Sequence, residues 1–326
     1  MTPGVARLHR RVAAAIPAGV ERWPVDDQAA WHARRQGDVT ASVAAALLGA
    51  HEFTTFYSLW HTKAGNLPRS TDDTPAMRRG RLLEDDALQV IAEDNPSWHV
   101  APCGFYYRAA ADRLGGTPDA IAFDPLRDGF GIVQIKSVEP TIFRTKWSVE
   151  DGIPTPPLWI VVQAAIEAWL TGASWAAEAP IVVGHGIDVP VIEVPVHAGV
   201  LAKLRRLSAE FWASVEAGVA PEPDYRTDGA AIAALWPEDN GIEADLSADN
   251  ELPALLDEHD SLALRLRADA KRIEEIKAAV RHKLGPNASA RAAGGRRITN
   301  REQTRKGHFV EGGTSRVLRI GSRQDG

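Results

Sequence analysis

Between residues 98 and 137 the apolar pattern switches from a helical to a strand-like period, and a helical period returns on the far side; no other feature restricts the fold as much. Ahead of the switch, over residues 76–94, Leu82, Leu83, Ala87, Val90 and Ile91 recur at helical spacing, which predicts a helix with one buried stripe. Inside it, residues 104–107, 120–123 and 131–135 are short β-prone runs, with Gly115, Gly116, Asp128 and Gly129 as turn residues. These runs read as an antiparallel meander at the centre of the protein. Beyond it, residues 158–170 are apolar at helical spacing and stop at Gly172, and residues 181–184 and 189–194 read as two further strands. A sheet has to bury its apolar faces, so helix, three strands, helix, two strands predicts a mixed α/β (α+β) core, a central mixed sheet flanked by helices.

Around that core the pattern is plainer. The first 25 residues are a proline-punctuated, partly helical lead, and residues 26–48 read as helix, short loop, helix with Thr40 and Ser42 as caps. A polar loop is expected over 65–75 and a helix near 202–217. Residues 221–253 are rich in Pro, Asp and Glu and read as a connector. Leu255, Leu262, Leu266, Ile273, Ile276, Val280 and Leu284 then predict a long amphipathic helix over 254–284, stopped by Gly285 and Pro286. Residues 296–300 and 315–320 alternate apolar with basic side chains and predict a terminal β-hairpin. The expected division is therefore a core over 1–220, a connector over 221–253 and a C-terminal region over 254–326.

Composition narrows the classes. The single Cys103 excludes an intramolecular disulfide and a cysteine zinc site, and suits a reducing cytoplasm. The sequence offers no apolar run of the roughly 18 residues a membrane span needs, and the charged, proline-broken N-terminus does not read as a secretory signal. The histidines stand without ligand spacing, and Trp159, Trp169 and Trp175 lie among apolar helical positions that suit a core. A net charge of −6 does not by itself suggest nucleic acid, but beyond residue 285 nine basic residues face three acidic ones. That segment offers phosphate a positive track.

The chemistry sits in and beside the meander. Hydrolysis of a phosphodiester at neutral pH calls for a cation held by hard oxygen donors. Pro118-Asp119 precedes Gln134-Ile135-Lys136 by the length of one strand and its return, so Asp119 and Gln134 can face one point, and strand alternation puts Gln134 and Lys136 on one face. Glu84, on the preceding helix, offers a second carboxylate. Lys136 is placed to orient water or hold a phosphate as a point charge.

In this order the motifs resemble the P-D…(D/E)-x-K nucleases, and within them the lambda-exonuclease or YqaJ-like viral recombinase family. Trp31, Arg35, Gly37, Thr40 and Ser42 are similar to the family's opening motif, whose Arg and Ser hold a phosphate at the DNA end. Arg79 through Glu84 resembles its G-x-x-x-E helix; Pro118-Asp119-Ala120 its P-D-G turn, with Ala120 for glycine; Gln134-Ile135-Lys136 its E-x-K strand; and Gln163 a glutamine on the following helix. The resemblance spans about residues 25–215.

The resemblance implies a restriction-endonuclease-like core. It implies catalytic roles for Glu84, Asp119, Gln134, Lys136 and Gln163, with Mg²⁺ or Mn²⁺ on Glu84, Asp119, Gln134 and the Ile135 carbonyl. Arg35 and Ser42 would hold the end phosphate of duplex DNA digested 5′ to 3′. A single-strand annealing protein and a ring-shaped homo-oligomer are the partners it suggests. One departure matters: Gln134 replaces a carboxylate and removes a negative charge, although its amide oxygen is still a hard donor. An endonuclease with the same site, a strand-trimming nuclease with an iron–sulfur cluster, and an end-binding module with a weakened site are the alternatives, and the lone Cys103 counts against the cluster.

Overall fold

The computed structural model describes residues 3–68, 74–150 and 153–304, with 318 and 320, and divides into two compact units between Leu235 and Trp236. In the first unit the chain runs through α1 (Pro3–Ala15), β1 (Val20–Pro24), α2 (Gln28–Gln36), β2 (Val39–Thr40), a 3-10 helix (Ala41–Leu48), α3 (Phe56–Lys63) and α4 (Pro75–Asp94). It continues with β3 (His99–Pro102), β4 (Phe105–Ala109), β5 (Leu114–Gly116), β6 (Ala120–Phe123), β7 (Gly131–Val138), α5 (Pro140–Lys146), β8 (Ser148–Glu150) and β9 (Ile153–Thr155). Then follow α6 (Leu158–Thr171), β10 (Trp175–Val183), β11 (Ile187–Asp188), β12 (Ile192–Val194), α7 (Ala198–Glu216) and α8 (Gly229–Leu235).

The central sheet has the order β11-β10-β7-β6-β3, with β12 also on β10. β6 and β7 are an antiparallel pair, whereas β7 and β10 run parallel. Parallel neighbours cannot be joined by a tight turn, so the chain crosses over between them, and α6 packs on both strands. Strand alternation then sorts the two faces. Val133, Ile135, Ala177 and Ala179 pack with Ala87 and Ile91 of α4, while Ile132 and Ala176 pack with Ala164 and Ala168 of α6. Gln134, Lys136 and Glu178 therefore share the face covered by α6.

The two helices have legible starts and stops. The Thr74 side chain accepts from the Met77 N–H ahead of Pro75 at the first turn of α4, and α6 ends in Gly172 in the left-handed conformation with φ 73°. A side chain at Gly172 would also run into the Ala15 carbonyl, so glycine is required twice over.

The expected single meander is divided between two sheets. β4 and β5 leave it to join β1 and β2 in a second sheet of order β1-β4-β5-β2, and only β3, β6 and β7 stay at the centre. Gly115 and Gly116 are not turn residues but lie inside β5, because neighbouring groups leave no room for a Cβ. At Gly115 it would strike the Tyr106 ring, and at Gly116 it would stand 2.8 Å from Glu167 Cγ. Thr40 holds the cap position of the 3-10 helix without a capping bond, since its hydroxyl pairs with Ser42 at 3.1 Å. β1 within the lead, α8 within the acidic stretch and the early start of β10 at Trp175 also differ from the sequence reading.

The second unit carries α9 (Leu252–Leu284), as periodicity predicts, with Leu255, Leu262, Leu266, Ile273 and Ile276 exposed. A short hairpin follows, in which β14 (Arg297–Thr299) pairs with β13 (Ser289–Arg291). The expected partner of β14, residues 315–320, lies largely outside the described residues. Among the described residues no helix is long and apolar enough to cross a membrane.

Gly115→Ala tests the close approach in the second sheet. Tyr106 cannot swing aside freely, because its hydroxyl donates to Asp38 at 2.8 Å and Asp38 also holds Arg108. The substitution should lower the unfolding free energy by about 1–3 kcal/mol, the usual cost of overpacking. A urea midpoint equal to that of wild type would show that Tyr106 moves without cost.

Candidate active site

Asp119 stands at the head of β6, one register step beyond the Ala120–Val133 pair, and so opposite Gln134. Its carboxylate accepts the Ile135 N–H at 2.7 Å, and the Gln134 amide oxygen accepts the Asp119 N–H at 3.3 Å. These two bonds run between the strands where ladder pairing has stopped. In a strand the N–H and C=O of one residue leave by the same edge, so the Ile135 carbonyl also faces the side of Asp119. Next along the same face, the Lys136 ammonium donates to Gln163 Oε1 at 3.0 Å, and Gln163 Nε2 donates to Glu167 Oε1 at 3.2 Å. Lys136 is thus aimed by α6.

Glu84 comes from the other side of the sheet, on α4. Arg79 of that helix donates to the hydroxyl of Ser137 at 2.8 Å and to its carbonyl at 3.2 Å, tying α4 to β7 beside Lys136. Burial, then the negative charges of Asp119 and Asp85, push the Glu84 carboxyl up to about 7, against the pull of Lys136. Burial also raises Asp119, opposed by Lys136, the Ile135 N–H and Gln134. All five residues that the motifs point to, Glu84, Asp119, Gln134, Lys136 and Gln163, belong to this neighbourhood.

Two further acids, absent from the motif reading, share it. Glu167 is 1% exposed and Glu178 is 0% exposed. Burial, then Asp119, pushes Glu167 up to about 8, while Lys136, Gln163 and Arg35 oppose the shift. Glu178 is raised well above the ordinary carboxylate range, again chiefly by burial. A sequence signal for both existed: each is the sole charged residue of its element, α6 and β10. Such residues are seldom buried without a purpose.

Arg35 and Ser42, which the opening motif singles out, are also brought together. The Arg35 guanidinium donates to Ser42 Oγ at 3.4 Å and lies over the Trp31 ring at 4.4 Å. His51, which sequence reading passed over, fixes the same loop. Its Nδ1 accepts the Phe53 and Thr54 N–H groups, leaving Nε2–H to donate to the Ser42 carbonyl at 2.9 Å. Trp31 links this cluster to the first, for its indole N–H donates to Thr117 Oγ1 at 3.1 Å, two residues before Asp119.

Residues 30–174 match the model of the YqaJ-like viral recombinase domain. The matched stretch takes in Arg35, Ser42, Glu84, Asp119, Gln134, Lys136, Gln163 and Glu167, while Glu178 lies just past its end. Among solved structures the chain is similar to an alkaline exonuclease, LHK-Exo, from Laribacter hongkongensis, at 20% identity and TM-score 0.43, over 63% of this chain and 98% of that one. The same exonuclease in complex with dAMP aligns with TM-score 0.44 at 20% identity, over the same shares. The protein SSO0001 aligns at 15% identity with TM-score 0.28, over 54% of this chain and 76% of that one. None of the curated proteins matches the sequence.

The residues suit a hard divalent cation by their chemistry. Glu84, Asp119 and Gln134 offer side-chain oxygens, the Ile135 carbonyl faces the same edge, and burial, joined at Glu84 by the negative charges of Asp119 and Asp85, raises both carboxyls, a cost that a cation would relieve. Among the described residues no three Asp, Glu, His or Cys side chains converge on one point, so Gln134 and the main chain are needed to complete such a set.

The buried acid also makes stability depend on pH. Below its ordinary pKa of 4.5 Glu167 is protonated in the folded and unfolded chain alike, so its burial carries no charge penalty; as pH rises toward about 8 the folded protein loses stability that the unfolded chain does not. With divalent metal chelated, Glu167→Gln should melt higher than wild type at pH 8, and the gap should close as pH falls toward 4.5. A gain of roughly 2–4 °C would correspond to about 1 kcal/mol. Equal melting temperatures across that range would mean that Glu167 is not held in the buried environment described.

Proposed function

We propose that the chain is a divalent-metal-dependent deoxyribonuclease, using Mg²⁺ or Mn²⁺, that digests double-stranded DNA from its ends in the 5′ to 3′ direction and so supplies single strands for recombination. The observation that carries this reading is the physical link between its two halves: Trp31 holds Arg35 with one face and the turn before Asp119 with its indole N–H. A phosphate held at Arg35 and Ser42 would therefore be in fixed register with Asp119.

In this reading Glu84, Asp119, Gln134 and the Ile135 carbonyl hold the metal. Bound there, the ion would supply Lewis acidity and an activated water for attack on the phosphodiester. Asp119 is oriented by the Ile135 N–H, so its carboxylate keeps its aim without the help of solvent. Lys136 holds the attacked phosphate or its water as a point charge, and Gln163 fixes the ammonium through the bond at 3.0 Å. Arg35 and Ser42 take the terminal phosphate, which makes digestion directional. The exposed Arg291, Arg296, Arg297 and Arg301 of the second unit offer further phosphate contacts. A single-strand annealing protein and a ring of identical subunits are the partners proposed.

The decisive assay offers end-labelled linear duplex and closed circular duplex with Mg²⁺, Mn²⁺ or chelator. Wild type should degrade only the linear form and only with metal, and Lys136→Ala should lose at least about 100-fold in rate. Arg35→Ala should erase the preference for 5′-phosphorylated ends. Cutting of circles would replace this reading with an endonuclease, and binding of ends without cleavage would make the site a retired one.

A further inference from the structure

The helix α9 is 33 residues long, about 50 Å of α-helix. Leu255, Leu262, Leu266, Ile273 and Ile276 follow one another along it in steps of seven, four, seven and three residues, and all five are exposed. They form one stripe, the pattern of a helix that packs lengthwise on another helix.

Charge in the second unit is segregated along the chain. Residues 236–262 hold nine Asp and Glu and no Lys or Arg, whereas residues 263–304 hold eleven Lys and Arg against four Asp and Glu. The helix dipole accounts for little of this. It favours acid in the first turn and fades beyond it, yet the first turn of α9 holds no acid, and Asp257, Glu258 and Asp260 come later. Near the middle of the helix charges are answered locally, Arg272 by Glu275 at 3.1 Å and Lys277 by Glu274 at 2.6 Å. The ends lack that spacing: no Lys or Arg stands three or four residues from Asp257, Glu258 or Asp260, and no Asp or Glu stands so from Arg281 or Lys283.

Within one α9 these two ends are about 35 Å apart, several Debye lengths at physiological salt, so neither screens the other. A second α9 laid antiparallel sets each acidic end beside a basic one and covers the stripe along its length. A parallel partner would set like charge on like at both ends. We propose that α9 is a self-association element: two copies of this chain pair antiparallel through the stripe, with Asp257, Glu258 and Asp260 of each copy facing Arg281 and Lys283 of the other. Such a contact is self-complementary and joins two copies about a two-fold axis, so it is distinct from the contacts that close a ring. It does not rest on the nuclease reading.

The test is sedimentation of the full-length protein over a range of concentrations at physiological salt, with helicity followed by circular dichroism. Wild type should associate, and Leu266→Gln with Ile273→Gln should abolish the α9 contact. Asp257→Lys with Glu258→Lys should weaken association by at least about tenfold, since attraction becomes repulsion at both ends of the pair. Adding Arg281→Glu and Lys283→Glu to that same chain should recover it, because the polarity is then reversed throughout. Wild type that stays monomeric overturns the proposal, as does assembly that neither the stripe nor the charge variants change. Assembly lost with the stripe but untouched by Asp257→Lys with Glu258→Lys also overturns it, for copies paired in parallel would behave so. If the singly reversed chain loses helicity, the four-residue variant decides: recovered association supports the antiparallel pair and its absence overturns it.

Discussion

The hydrogen bond from the Ile135 N–H to the Asp119 carboxylate, 2.7 Å long, joins β6 to β7 at the point where their ladder ends. Everything at the site is measured from it. It turns the Asp119 side chain toward β7, it brings the Ile135 carbonyl to the same edge, and with the Asp119 N–H on Gln134 it forms a reciprocal pair that replaces the missing ladder bonds. Backbone donors cost nothing to aim, because the sheet has already fixed them. The acid is therefore positioned by the fold and not by other flexible side chains.

That placement creates an electrostatic tension which the rest of the neighbourhood answers. Asp119, Glu167 and Glu178 press on one another across a dry interior, with Lys136 as the cation common to all three. Lys136 in turn is tied to α6 through Gln163. A neutral amide at Gln134 keeps one more negative charge out of this neighbourhood. The crossover that made β7 and β10 parallel neighbours is what brought Glu178 into it, since an antiparallel pairing in another register would have set a different residue beside Gln134.

The helices α4, α6 and α9 were legible from periodicity, because an apolar stripe at helical spacing needs no knowledge of its partner. β10 was not legible over its full length. Its first residues, Trp175 to Pro180, are rich in alanine and carry Glu178 and a proline, so strand propensity is weak there and only burial between β7 and β12 makes them a strand. The division of the meander failed for a similar reason. Gly115 and Gly116 are identical as letters to turn glycines, and only the Tyr106 and Glu167 side chains pressing on them show that the residues sit inside a strand.

The candidate site divides along the same line. Asp119, Gln134, Lys136 and Gln163 could be proposed from sequence since alternation and motif order are local properties, and the resemblance of Trp31 to Ser42 marked the second cluster. That Trp31 bridges the two clusters, that Arg79 ties α4 to Ser137, and that Glu167 and Glu178 stand beside Lys136 are facts of pairing and register between distant segments. The chain by itself determined which residues carry charge and which face of an element each occupies, because side-chain period is set by local backbone geometry. Which of those faces meet was decided by tertiary structure alone, since a shift of one residue in a strand sends every side chain to the other side of the sheet.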